Sequence, residues 1–163
     1  MMNTFITYSL LILLIVVSNF SFTQNCTGKI QQLTTTNARA EKAYLSALQY
    51  MQMRDPDNAL LECFKAIKAD DRFMEAYFLM GEAYLDKGEL ANSEMYFRKG
   101  LSVSPTPCPE RMFNLANILY MQEKYAEALE YYKECLSKPI AYDDLKKKAE
   151  KRLASCQFAI EAM

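Results

Sequence analysis

The feature that most constrains this chain is a repeat in the placement of its small residues. An offset of 34 residues carries Ala59 to Ser93, and a further 35 carries Ser93 to Ala128. The same two steps align Ala66, Gly100 and Cys135, and also Ala47, Gly81 and Ala116. Larger apolar residues recur in phase with them, as Tyr50, Tyr84 and Leu119, then Ile67, Leu101 and Leu136. A period of this length with two amphipathic helices per unit describes stacked helical hairpins, none of which buries its apolar face alone. Gly81 and Gly100 fall inside runs that read as helix, where glycine costs about 1 kcal/mol relative to alanine. The repeat explains them as points where neighbouring helices come close.

Local chemistry sets the boundaries. Asp55 before Pro56 reads as a helix cap followed by the first helical residue, which turns the first hairpin at "RDPD". Lys87 and Gly88 end a helix, with Gly88 suited to a left-handed conformation. "SVSPTPCP" breaks the chain, and Pro109 opens the next helix. Beyond Pro139, the residues Leu145, Ala149, Leu153, Cys156, Ile160 and Met163 recur at helical spacing, as expected of a helix closing the last unit.

Composition removes several function classes. The chain has 163 residues and 51% hydrophobic content, enough for one domain with a core. Nineteen basic against 20 acidic side chains give a net charge of -1, with no field to draw nucleic acid. Histidine, the commonest general base and metal ligand, is absent, which weighs against an enzyme. With four glycines in the whole chain there is no glycine-rich phosphate loop. No cofactor and no metal site is expected. The five cysteines form no CxxC pair, so neither a disulfide framework nor a zinc site is expected. Cys63, Cys135 and Cys156 fall at apolar helical positions and read as small hydrophobes, while Cys26 and Cys108 read as the most exposed and reactive. The cluster Lys146, Lys147, Lys148, Lys151 and Arg152 reads as a solvated helix face.

The first 28 residues carry no charged side chain, and their uninterrupted apolar run, Leu10 to Val17, is eight residues long. That length suits a secretory signal peptide, residues 1–23, which leaves Gln24 as the mature terminus. An uncleaved anchor from about Phe5 to Phe22 is the alternative, and the only route by which the chain would meet a membrane.

The repeat resembles the tetratricopeptide repeat family. Residues 74–107 carry Tyr77, Met80, Gly81, Tyr84, Gly88, Leu90, Ser93, Phe97, Gly100, Leu101 and Pro105 at that family's spacing. The unit 109–140 matches through Met112, Leu115, Ala116, Leu119, Tyr125, Ala128, Tyr132, Cys135, Leu136 and Pro139. The unit 40–73 keeps Tyr50, Ala59, Ala66 and Ile67, with Ser46 and Asp71 departing from the pattern. The resemblance implies an all-α, right-handed solenoid of three hairpins spanning residues 37–163. A lead segment at 24–36 would precede it and a capping helix at about 143–162 would close it.

The resemblance also implies a site. In such solenoids the first helix of each unit lines the concave surface. The corresponding places here hold Tyr44, Leu48, Met51 and Gln52, then Phe78, Glu82, Leu85 and Asp86, then Phe113, Asn117, Tyr120 and Met121. Aromatic and methionine side chains offer large, adaptable contact area to a protein partner. Members that clamp a chaperone tail's carboxylate use lysine and asparagine at two of these places. Only Asn117 matches, so an extended or helical apolar peptide is the expected ligand. Some of these side chains are alternatively covered by residues 24–37 or by a neighbouring chain. A small molecule or glycan is the alternative ligand for the same aromatics.

The last helix and the leader together also resemble the N-terminal segment of Bacteroidota envelope proteins, in which a repeat block precedes a β-propeller and an OmpA-like peptidoglycan-binding domain, some associated with type IX secretion. This implies an exported, non-catalytic scaffold in the periplasm or at the outer-membrane periphery, associated with peptidoglycan-binding or secretion machinery.

Overall fold

The computed structural model describes residues 23–24, 30–31, 33–104, 108–140 and 142–162. After a two-residue antiparallel pairing, β1 (Thr23–Gln24) with β2 (Ile30–Gln31), the described chain forms seven helices. They are α1 (Ala38–Gln52), α2 (Pro56–Ala69), α3 (Met74–Asp86), α4 (Leu90–Val103), α5 (Pro109–Met121), α6 (Tyr125–Ser137) and α7 (Asp143–Glu161). Helices α1 with α2, α3 with α4, and α5 with α6 pack as antiparallel neighbours, each hairpin stacks on the next, and α7 packs on α6. The architecture is an all-α solenoid. Residues 1–22 of the leader, Cys26 and the turn at 105–107 lie outside the described residues.

The period extends to the backbone of the turns. Gly88 takes φ 75°, its N–H reaching the Leu85 carbonyl at 2.9 Å while the Glu89 N–H reaches Tyr84 at 2.9 Å. Arg54 (φ 58°) and Glu123 (φ 61°) hold the same place in the other two turns, with the same pair of hydrogen bonds, to Met51 and Tyr50 and to Tyr120 and Leu119. These two side chains tolerate a left-handed conformation that glycine adopts without strain. Side-chain caps start α1 and α2. Asn37 Oδ1 accepts from the N–H groups of Arg39 and Ala40, and Asp55 Oδ1 accepts from that of Asn58.

The two mid-helix glycines are reciprocal sockets. A β-carbon built on Gly81 would stand 2.5 Å from the Phe97 ring, and one built on Gly100 would stand 2.6 Å from the Phe78 ring. Helix α3 thus receives a ring from α4 and gives one back, with the ring centroids 5.7 Å apart. Ser93 Oγ, buried in the same seam, donates to the Gly81 carbonyl at 2.7 Å. The small residues in phase with these, Ala47, Ala59, Ala66, Ala116, Ala128 and Cys135, are all fully buried. Ala149 and Cys156 of α7 join the same core as Leu115, Leu119 and Tyr132. Helix α7 therefore covers the apolar side of the third hairpin.

Cys63, Cys135 and Cys156 are buried thiols, as their apolar positions suggest. Burial pushes Cys63 up to about 12 and Cys135 up to about 11. Cys108 differs from expectation: it is disulfide-bonded, not a reactive thiol. Among the described residues no helix is long and apolar enough to cross a membrane.

Between the second and third hairpins, the Glu94 carboxylate accepts from Arg98 Nε at 2.8 Å, Lys124 Nζ at 2.7 Å and Gln122 Nε2 at 2.9 Å. Arg98 continues across the seam to Glu127 at 2.6 Å and to the Tyr131 hydroxyl at 3.0 Å. Burial alone would raise the Glu94 pKa, but the hydrogen bonds from Lys124, Arg98 and Gln122 outweigh it and hold it at about 2.

Two predictions follow from this packing. Gly100→Ala gains about 1 kcal/mol of helix propensity, yet drives a methyl into a buried ring at a cost of about 1–3 kcal/mol. A net fall in melting temperature is expected, and a rise would show that the Phe78 ring moves aside freely. Because the folded-state pKa of Glu94 is depressed, its contribution to stability is complete above its ordinary value of 4.5 and is lost as pH falls toward 2. Denaturant melts between these limits should lose less stability in Glu94→Gln than in the wild type. Parallel curves would place the acid sensitivity elsewhere.

Candidate interaction groove

First helices approach one another, α1 touching α3 and α5 touching α7. The first helices α1, α3 and α5 carry the residues that the sequence reading places on the concave surface. The structure sorts those residues by burial.

At the first-hairpin end, Tyr44 is 4% exposed and meets Phe73 edge-on at 5.0 Å. Burial raises its hydroxyl pKa above the usual tyrosine range. The charges of Arg111, which opposes the shift, and of Glu75 and Glu82, which add to it, act on this ring from α5 and α3. Leu48 and Met51 are half-buried against the first core cluster, and Gln52 is exposed. Met51 and Asp86, with Arg54 and Pro56, line an open cavity of about 480 Å³ at one end of these helices.

Phe78 corrects the sequence reading. Expected as an exposed aromatic of the groove, it is 2% exposed, seated in the Gly100 socket, with the Arg111 guanidinium 4.8 Å above its ring. Arg111 Nη1 also pairs with Glu82 Oε1 at 2.6 Å. The second hairpin therefore presents to the groove a cation-over-ring and an ion pair. Leu85 beside them is half-buried, and Asp86 is exposed.

The third hairpin keeps the expected character. Phe113 is half-buried, 5.7 Å from the Tyr132 ring. Asn117 Oδ1 accepts from the Tyr132 hydroxyl at 2.7 Å, which fixes the orientation of the amide. Tyr120 is half-buried, edge-on to Tyr125 at 5.3 Å, and the Arg152 guanidinium stands 5.1 Å over its ring. Met121 is 56% exposed. No carboxylate among the described residues pairs with Arg152.

Sequence reading missed Arg111, and it read Arg152 as part of a solvated face without its ring contact. Each reaches from one first helix onto a ring of the preceding first helix, a relation between units that alignment within units does not display. It also missed Glu75, a carboxylate 6% exposed.

Two segments, residues 75–107 and 109–138, each match a model of the tetratricopeptide repeat. Among curated proteins, the chain is 28% identical over 121 residues to response regulator aspartate phosphatase A of Bacillus subtilis (strain 168), covering 68% of this chain and 32% of that protein. The chain thus spans about a third of that relative's length. Among solved structures, it superposes on the TPR2B domain of yeast Sti1 in complex with pHsp70 with a TM-score of 0.65 at 17% identity, covering 73% of this chain and 96% of that one. It superposes equally on the Yersinia enterocolitica type III secretion chaperone SycD in complex with a peptide of the translocator YopD, with a TM-score of 0.66 at 16% identity and coverage of 72% and 92%. At these identities the likeness is one of fold.

Proposed function

Because the chain carries tetratricopeptide repeats in an all-α solenoid, we propose that it is a non-catalytic scaffold that binds a protein or peptide segment along its inner face. The observation that carries this reading is the surface of Phe113, Tyr120 and Met121 on α5, which the fold leaves half-open beside Arg152. Buried aromatic contact with a partner is the commonest source of strong interface energy, and an exposed methionine adapts to the partner's shape. That structures of similar fold hold peptides supports the same reading.

The proposal includes an exported protein of the cell envelope, at the periplasm or the outer-membrane periphery. The charge-free apolar leader motivates it, and the disulfide at Cys108 supports it, since such bonds persist in oxidising compartments. Association with peptidoglycan-binding or secretion machinery belongs to the same proposal, with no nucleic acid, cofactor or metal involved. A small molecule or glycan remains the alternative ligand, with Phe113 and Tyr120 as its stacking rings now that Phe78 is enclosed.

The test compares two variants for the envelope protein that co-purifies with the wild type, once identified, at two ionic strengths. Alanine at Phe113, Tyr120 and Met121 should weaken binding by about 1–2 kcal/mol or more per true anchor. Alanine at the exposed Lys147 and Lys151 should alter only a small, salt-sensitive part. A larger loss in the lysine variant would move the recognition surface to α7.

A further inference from the structure

The chain just before α1 is seated like a ligand. Leu33 is 7% exposed and belongs to the core cluster that holds Tyr44, Phe73 and Met80. The Thr34 N–H donates to Glu75 Oε1 at 3.1 Å, and the Thr34 hydroxyl donates to Glu75 Oε2. The Thr35 hydroxyl donates to Asp70 Oδ2, and Asn37 Nδ2 donates to the Ala69 carbonyl at 2.9 Å. Five residues without regular structure are therefore fixed by one apolar socket and by acceptors at the junction of α2 and α3.

Glu75 gives the arrangement its selectivity. Its carboxylate is buried, and no cation among the described residues pairs with it. Both of its oxygens are satisfied by one residue, which supplies a backbone N–H and its own hydroxyl. Only serine or threonine offers that pair of donors from an extended chain. A buried carboxylate left without donors is costly, so the site favours an occupant over vacancy. A phosphate or carboxylate at the same place would meet it charge against charge. Leu33 and Thr35 are buried, Thr36 is exposed, and Thr34, though exposed, turns its hydroxyl to Glu75.

We propose that this junction is a peptide-docking site for an extended aliphatic–hydroxyl–hydroxyl segment, filled in this structure by the chain's own Leu33, Thr34 and Thr35. A partner bearing that pattern competes with the lead segment for Glu75 and the Leu33 socket. The site lies on the first two hairpins, away from Phe113, Tyr120 and Met121, so it stands independently of the function proposed for that surface.

A fluorescent synthetic peptide of residues 31–37 tests the assignment against the full chain. Binding, read by anisotropy, should be at least tenfold tighter to the Leu33→Ala, Thr34→Val variant than to the wild type, whose own segment holds the site. Thr34→Val alone, which keeps Leu33 in the core, replaces the double variant if the latter loses its helical melt. Adding Glu75→Gln should weaken the peptide at least fivefold, and phosphothreonine at the place of Thr34 in the peptide at least tenfold. Equal affinity for variant and wild type, absence of binding to either, or indifference to Glu75→Gln would each overturn the proposal. So would a concentration-dependent dimer in sedimentation that the peptide dissolves, since the segment would then be exchanged between copies.

Discussion

The interlock of two glycines with two phenylalanines is the contact on which the rest of the solenoid depends. Phe78 fills the socket of Gly100, Phe97 fills that of Gly81, and the two rings lie 5.7 Å apart. The third hairpin repeats the motif with Phe113 and Tyr132, also 5.7 Å apart, over the fully buried Ala116 and Cys135. In the first hairpin the corresponding places are Tyr44 and Cys63, both buried, beside Ala47 and Ala66. Each unit thus trades large side chains for small ones at matched heights, which fixes the distance between its two helices. The cost in helix propensity at the glycines is outweighed by the apolar area of the rings enclosed there.

That constraint also decides what the groove can be. A first-helix ring that seats fully in the second helix, as Phe78 does at Gly100, faces the hairpin seam, whereas Phe113 at the equivalent place opposite Cys135 stays half-buried. Phe78 and Tyr44 are spent on packing, and the available surface shifts toward Phe113, Tyr120, Met121 and the polar residues between them. Arginines then seal rings across units, Arg111 over Phe78 and Arg152 over Tyr120. Such a pair links neighbouring first helices through cation and ring at once. Along the first helices, covered rings and ion pairs alternate, and the half-buried apolar side chains gather on α5.

Most of the fold was legible because periodicity reports hairpin stacking directly. The small residues fell in phase, Gly88 announced its left-handed turn, and Asp55–Pro56 and Pro109 marked helix starts. What was illegible involved contacts between units or strain carried by ordinary residues. Arg54 and Glu123 adopt the conformation of Gly88 without glycine's signature, because the two hydrogen bonds of the turn compensate the strain. The burial of Tyr44 and Phe78 depends on the depth of the opposite socket, which residue type alone does not give. The threonines of the lead segment carry no periodic signal at all, and their role emerges only when Glu75 lies beneath them. The disulfide at Cys108 carried no signal of its own, since the five cysteines form no CxxC pair.

The central claim, that ring and socket specify each other, is most directly tested by a double-mutant cycle on Gly100→Ala and Phe78→Leu, with unfolding free energies from denaturant melts. Each single change should destabilise, the first by crowding and the second by lost packing. If the methyl and the ring compete for one space, the double variant should be more stable than the sum of the two losses implies, with a coupling of about 1 kcal/mol or more. Losses that add to within about 0.5 kcal/mol would mean that the glycine and the ring are energetically independent, and would contradict the account.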